Sequence, residues 1–252
     1  MTTLIHTALT GIRRIVSLNL SPHAHGEHHH RTGGASIREV VFGANDGLVS
    51  NTALVAAVAG GTSDVSIIIL GGVAGAVAGT ISMALGAYVS TKSQREHHES
   101  EEAREFWEIE HMREHELAET RRIFRLKGIT GPLLDEVVDA VSRDHDQWVQ
   151  IMMTEELGLP SKPPKPYLAA GIMGVSFAFA AIVPVLPFFV AEGPAALAAA
   201  FVMSGFALFG VGAWRATLIQ GNMLRKGAEM VLLAGIAVAA AYGIGTAVGT
   251  AV

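Results

Sequence analysis

Five long apolar stretches constrain the fold of this 252-residue chain more than any other feature. A helix needs roughly 20 mostly apolar residues to cross the hydrocarbon core of a bilayer, which is about 30 Å thick. Stretches of that length lie at 38–60, 66–91, 167–191, 195–219 and 228–251. Half of the residues are hydrophobic and only 16% are charged, which argues against a water-soluble globular protein. The sequence therefore predicts an all-α polytopic membrane protein with five transmembrane helices.

The basic residues predict how the chain is oriented in the membrane. All 18 Lys and Arg residues lie before the first stretch, between the second and third, or in and beside the segment between the fourth and fifth. Because Lys and Arg accumulate in cytoplasmic loops, the N-terminus and the long polar segment are expected in the cytoplasm. The C-terminus is expected on the opposite side. The Ala/Gly-rich composition favours a bacterial inner membrane.

The apolar stretches also divide the chain into parts. Most of the 23 acidic residues lie between the second and third stretches, in a polar segment with a helical pattern. The start of the N-terminal tail fits either a short amphipathic helix on the membrane surface or a disordered segment. The predicted parts are a His-rich cytoplasmic tail (1–35), transmembrane helices 1 and 2 (36–91), a cytoplasmic acidic helical metal-binding domain (92–166) and transmembrane helices 3 to 5 (167–252).

The residue types exclude several kinds of chemistry. The chain has no Cys, which excludes disulfides, thiolate metal sites and a Cys nucleophile. Every His lies outside the predicted spans, and no HExxH or GxSxG motif occurs. We therefore predict neither an enzyme nor a nucleic-acid-binding protein, and expect any metal ion to be held by oxygen, imidazole or thioether.

Polar residues within the first span mark a candidate transport path. A charged residue inside a span costs about 2.5–3.5 kcal/mol on insertion scales, and Asp46, preceded by Asn45, is the acid deepest in any span. At 1.5 Å per residue, Asp46 lies about 21 Å and Met83 of the second span about 25 Å from the outer surface. The two can therefore meet on antiparallel neighbouring helices. The alternatives are that Asp46 caps a helix or closes a "GANDG" turn, and that Met83 is an ordinary packing residue.

Glycines in the second span predict close helix packing. Gly71, Gly75 and Gly79 are four residues apart, so they lie on one helix face with no side chains to keep a neighbour away. Either a dimer contact or an intramolecular helix pair is expected there. In the third span, Pro184 and Pro187 are expected to break or kink the helix near its outer end.

The polar segment combines carboxylates with thioethers on helices. One helix is expected to continue the second span to Lys127, followed by another over 132–157. On the first, four glutamates and a methionine fall within a sector of about 80°. On the second, two methionines and a glutamate recur at helical spacing. Two such helices could surround divalent ions, whereas a solvated acidic surface is the alternative. The residues are Glu105, Glu108, Glu116 and Glu119, then Met152, Met153 and Glu156, with Met112 and His115 as auxiliary candidates.

Together these segments resemble the vacuolar iron transporter family over residues 36–250. "FGANDGLVSNTALVAAVAGG" is similar to its first-span motif and "GTISMALGAYVSTKS" to its second-span motif. The acidic segment with "MMTEELGL" and a Pro-rich return is similar to its cytoplasmic metal-binding domain. The resemblance implies five spans, a homodimer with a path near the dimer interface, and export of Fe²⁺ and related ions in exchange for protons. By motif, Asp46 and Met83 match the membrane metal site, and the glutamates and paired methionines match the cytoplasmic ligands.

Gly75 departs from the family pattern, because some members carry a glutamate there. This departure leaves the proton coupling and the metal coordination in the membrane open. The predicted function is a transporter that exports Fe²⁺ from the cytosol, with Mn²⁺ as a second candidate and Co²⁺ and Zn²⁺ not separable by ligand type. The alternative is a membrane-anchored buffer or sensor of divalent metal.

Overall fold

The computed structural model describes residues 30–218 and 220–251, and in that part of the chain all regular elements are helical. Most of the predicted His-rich tail, including its predicted surface helix, lies outside the described residues. The elements are α1 (His30–Gly61), α2 (Val65–His111), α3 (Arg113–Leu126), α4 (Pro132–Val141), α5 (His145–Glu155), α6 (Pro166–Ile182), a 3-10 turn (Leu186–Phe189), α7 (Gly193–Leu218) and α8 (Met223–Gly249).

Four helices, α1, α2, α7 and α8, are long and apolar enough to cross a membrane. The third predicted span differs, because α6 has only 17 residues and a 3-10 turn follows it. Proline has no N–H to continue the helical ladder, so Pro184 and Pro187 end α6 where the sequence indicated a break. The five-span topology therefore stays a prediction, with this interrupted segment as its least regular member.

A side chain of α1 stabilises the break in α6. After the break, the N–H of Val185 donates to Ile182 O (3.0 Å), one residue later than in an α-helix. The buried amide of Asn51 instead donates to the carbonyl of Ala181 (2.5 Å) and to that of Gly72 in α2 (3.1 Å). Backbone carbonyls in an apolar medium need such partners, so one amide joins three helices where α6 ends.

The glycine face of α2 packs against helices of the same chain. Gly71 lies against Val58 of α1, and a Cβ at Gly75 would overlap Leu54 of α1. Further along, a Cβ at Gly79 would overlap the buried ring of Phe177 in α6. The intramolecular helix pair, one of the two alternatives for this face, is thus present in the structure.

Helices α7 and α8 pack along each other and meet α1 through small residues. Gly245 of α8 approaches the backbone of Ala57 so closely that a Cβ would overlap it. Between α1 and α7, the buried hydroxyl of Thr52 donates to Ser204 Oγ (3.0 Å). Small residues thus allow close backbone packing, and a hydroxyl pair satisfies the polar groups that it buries.

The helix continuing the second span is shorter than expected. α2 runs without interruption to His111, where Met112 leaves helical geometry (φ −125°, ψ 33°), so the expected helix to Lys127 is wrong. The break lets Leu117 of α3 pack against Ile109 and Trp148, in a cluster that also includes Ile123. A straight helix would carry α3 away from this core, so tertiary packing outweighs the local helical preference.

The helix expected over 132–157 is also divided. α4 ends at Val141, and α5 begins after Asp144, whose side chain accepts a hydrogen bond from Gln147 N (3.1 Å). Asp is a favoured N-cap residue, so the sequence itself carries a signal for a helix that starts here. Gly128 and Gly131 have positive φ in the loop between α3 and α4, where the sequence indicated a break.

Candidate metal centre

Three glutamates from three helices meet at the centre of the polar domain, residues 92–166. Glu105 lies on α2, Glu116 on α3 and Glu156 at the C-terminal end of α5. One carboxylate oxygen of each lies within 4.8 Å of the other two. Glu105 and Glu116 are each only 1% exposed, which is rare for a carboxylate without a partner. The break at Met112 creates this arrangement, because it turns α3 back towards α2. We call these residues the three-glutamate cluster.

Each of the two buried carboxylates has one oxygen without a hydrogen-bond donor among the described residues. Oε2 of Glu105 and Oε2 of Glu116 are buried without a partner in the part of the chain that the structure describes. A buried charge without a partner is costly, so such a group either takes up a proton or binds a cation. The donor set consists of hard carboxylate oxygens, which suits a divalent cation.

The electrostatics of the cluster agree with this geometry. Burial is the main cause that raises the pKa of Glu105 to about 7, and the charges of Glu156 and Glu116 add to it. Burial also raises the pKa of Glu116 to about 7, with Glu119 and Glu108 contributing. The pKa of the more exposed Glu156 is raised as well, first by partial loss of hydration. Near neutral pH the cluster is therefore partly protonated and can exchange protons for a cation.

Glu108 and Glu119 border the cluster without joining it. Glu108 lies 3.7 Å from Arg104 Nε, and Glu119 lies 3.7 Å from the ring of the exposed His115. Their charges reach the cluster, since both raise the pKa values of Glu116 and Glu156. The structure thus places these glutamates around the cluster, with competing basic partners.

Met152 and Met153 lie in the apolar core beside the cluster. Both are buried against Ile109 and Trp148. Met152 Sδ lies 3.5 Å from the hydroxyl of Thr120, which donates to the backbone oxygen of Glu116 (2.7 Å). The predicted thioethers therefore pack in the core of the polar domain, and Thr120 links Met152 to the backbone of Glu116.

The auxiliary candidates, Met112 and His115, lie at or close to the break between α2 and α3. Met112 is 43% exposed at the break between α2 and α3. His115 is exposed and lies next to Glu119. His115 is outside the group of residues that meet within 4.8 Å, and it counteracts in part the raised pKa values of Glu116 and Glu156.

In the apolar part of the fold, the register of α1 against α2 puts Asp46 and Met83 at about the same level. Asp46 and Asn45 are partly buried in the interior of α1, so the alternative of a helix cap or a turn is wrong. Val58 opposes Gly71 and Leu54 opposes Gly75, so four residues back along α1 correspond to four forward along α2. Two further steps in this antiparallel register lead from Leu54 to Asp46 and from Gly75 to Met83. Met83 also packs beside Phe177.

Sequence analysis missed two buried groups, Glu39 near Asp46 and Thr120 in the polar domain. Glu39 is buried on α1, seven residues before Asp46 and therefore on the same face. The two-turn spacing could have indicated it, but it lies at the edge of the predicted span. Thr120 is fully buried and accepts a hydrogen bond from Trp148 Nε1 (2.8 Å), for which the sequence offers no local signal.

Comparison with known proteins decides the family. A model of the VIT family matches residues 37–246, which is most of the chain. The chain belongs to the VIT family. Vacuolar iron transporter 1 of Arabidopsis thaliana is 34% identical to it over 86% of this chain and 88% of the relative. Vacuolar iron transporter 1 of Oryza sativa subsp. japonica is 31% identical over 90% and 92%. A vacuolar iron transporter of Toxoplasma gondii (strain ATCC 50861 / VEG) is 31% identical over 88% and 77%.

The resemblance found in the sequence motifs is thereby confirmed. The VIT-family match begins within the first apolar helix and ends within the last one, so it includes both the polar domain and the apolar helices. With four helices that are long and apolar enough to span, this VIT-family chain is a multi-pass membrane protein.

Proposed function

We propose that this protein is a homodimeric transporter that exports Fe²⁺ from the cytosol in exchange for protons, with Mn²⁺ as a second candidate cargo. Its relatives named vacuolar iron transporters support a transporter of metal ions. The observation that carries the proposal is the three-glutamate cluster. Its two buried members, Glu105 and Glu116, each have an oxygen without a donor among the described residues and a pKa of about 7. The N-terminus and residues 92–166 face the cytosol of a bacterial cell in this proposal.

The polar domain would collect the ion before transport. A divalent cation between the three carboxylates replaces the protons that Glu105 and Glu116 hold near neutral pH and removes the repulsion among the three. Glu108 and Glu119 raise the local concentration of cations through their charge. Met152 and Met153 favour Fe²⁺ and other borderline ions over Mg²⁺ or Ca²⁺, because thioethers are soft ligands.

The transport path would pass Asp46 and Met83. The antiparallel register of α1 and α2 supports a similar level for both, where a carboxylate and a thioether would serve one ion. Phe42 and Ser50, one turn before and after Asp46, are exposed on the same face of α1. A carboxylate facing lipid is costly, so a second copy of the chain is expected to cover this face and enclose the path. Asp46 then alternates between metal and proton.

The alternative, a membrane-anchored buffer or sensor, also uses the three-glutamate cluster. It gives no reason for Asp46 within an apolar helix. The fraction of ion that crosses the membrane distinguishes the two functions, because a buffer binds metal without moving it.

The test is anaerobic Fe²⁺ flux into proteoliposomes, with and without an imposed pH gradient. We expect flux that increases with the gradient and is abolished by Asp46→Asn, while metal binding by the polar domain is retained. Asp64→Asn is the matched control, since this exposed residue only caps α2 and asparagine caps equally well. Binding without flux in the unmodified protein would establish the buffer, and flux retained in Asp46→Asn would remove Asp46 from the path. Flux indifferent to pH would indicate transport without proton exchange. The missing proton coupling would then agree with Gly75 at a position where some family members carry a glutamate.

A further inference from the structure

His98 is a buried imidazole that the proposed transport mechanism does not use. It lies on α2 and is 3% exposed. Glu105 follows seven residues later, so the two side chains share one face of the helix, about 10 Å apart along its axis. His98 therefore faces the same side of the domain as the three-glutamate cluster, on the part of α2 that leads towards the apolar helices.

Its hydrogen bond connects α2 to the chain that leaves α5. His98 Nε2 lies 2.7 Å from the carbonyl oxygen of Pro160. Because a carbonyl only accepts, Nε2 carries the proton and donates. Nδ1 is buried without a partner among the described residues, so this single bond is the polar contact that holds the ring.

The bond closes a short turn that begins at Glu156. The N–H of Glu156 donates to Met152 O (2.9 Å), which joins it to the last turn of α5. Gly158, at φ +64°, reverses the chain, and the N–H of Leu159 returns to Met153 O (2.8 Å). The carbonyl of the next residue is the one that His98 binds. Glu156 is therefore fixed to α5 on one side and, four residues later, to α2 on the other.

Glu156 needs this support more than the other two glutamates. It is exposed and stands at the C-terminal end of α5, where the helix dipole disfavours a negative charge. It also faces the carboxylates of Glu105 and Glu116. Without an ion, both effects favour movement of Glu156 towards solvent.

We propose that His98 is a positioning residue that holds Glu156, through the carbonyl of Pro160, at ligand distance from Glu105 and Glu116. The inference rests on the proposed role of the cluster in metal binding. Loss of a residue that orients a metal ligand typically weakens binding about 10- to 100-fold. His98→Leu removes the donor at similar volume, whereas His98→Gln can place an amide N–H near the position of Nε2.

The experiment measures anaerobic Fe²⁺ affinity by calorimetry on the full-length protein in detergent, with Asp46→Asn present throughout to remove the membrane site. We expect His98→Leu to weaken binding by about tenfold or more. His98→Gln should restore affinity to within about threefold. In a Glu156→Gln background, His98→Leu should have no further effect, because the ligand that it positions is already lost.

The double-variant comparison separates positioning from general destabilisation. If His98→Leu weakens binding equally with and without Glu156, or if His98→Gln is as weak as His98→Leu, the residue acts through the fold at large and the proposal is refuted. If Glu156→Gln leaves affinity unchanged, the cluster is not the metal site, and the proposed function fails together with this inference. If Glu156→Gln weakens binding and His98→Leu does not, this inference alone fails.

Discussion

Metal binding at the three-glutamate cluster should depend steeply on pH, because an ion must displace protons from it. Two carboxyls with a pKa of about 7 are each about 90% protonated at pH 6 and about 10% protonated at pH 8. Treated independently, they make the Kd at pH 6 about 100-fold weaker than at pH 8. Two carboxyls at the usual value of 4.5 would change it by less than about 10% over the same range.

The protons released on binding provide a second measurement of the same quantity. About one proton should leave per ion at pH 7, close to two at pH 6 and about 0.2 at pH 8. Calorimetry in two buffers with different ionisation enthalpies gives this number directly, and Asp46→Asn protein restricts it to the polar domain. Glu105→Gln should reduce the pH effect on Kd from about 100-fold to about tenfold, because one titrating group is gone. An affinity that changes less than twofold between pH 6 and 8, without proton release, would refute the reasoning.

Raising the pH should strengthen metal binding but should lower the folding stability of the protein without metal. Folding keeps Glu105 and Glu116 protonated more strongly than the unfolded chain does. Their contribution to stability is therefore complete below about pH 4.5 and is lost as the pH rises through about 7. Bound metal should offset this loss, since it replaces the protons.

Two further predictions concern packing. Thr120→Val should lower the free energy of unfolding by about 1–3 kcal/mol, because it leaves the buried Trp148 N–H unpaired. Thr154→Val removes an exposed hydroxyl and should change the free energy of unfolding by no more than about 0.5 kcal/mol. Both variants are measured by thermal unfolding in detergent, and equal effects would contradict the role of the buried bond. Gly245→Ala should destabilise by about 1–3 kcal/mol, because its Cβ meets backbone of α1. Gly86→Ala, which meets nothing within 4 Å, should be neutral or stabilising, and the reverse order would show that α8 packs differently.

The apolar helices could be predicted from sequence because their signal is local. A stretch of about 20 apolar residues without charge has few alternatives to a helix in a bilayer. The break in the third stretch was equally local, since Pro184 lacks the N–H that the helix needs. The carbonyl of Ala181 that this break frees accepts a hydrogen bond from Asn51 on another helix. Nothing in the sequence around Ala181 indicated that contact.

The polar domain shows where local patterns were insufficient. Residues 92–127 contain no Pro or Gly, so one long helix was the natural expectation. The break at Met112 follows from packing around Trp148, which is distant in sequence. As a result, carboxylates expected on one face of one helix belong to two helices that fold towards each other.

By itself, the sequence determined the family, the positions of the apolar helices and the ligand types available to a metal ion. These depend on composition, motifs and the fixed rise of a helix, which also placed Asp46 and Met83 at one depth. Only the tertiary structure decided which three carboxylates meet, and that two of them, Glu105 and Glu116, are buried away from water. Their pKa values and ligand distances depend on burial and on charges from other helices, and these arise only when α2, α3 and α5 pack together.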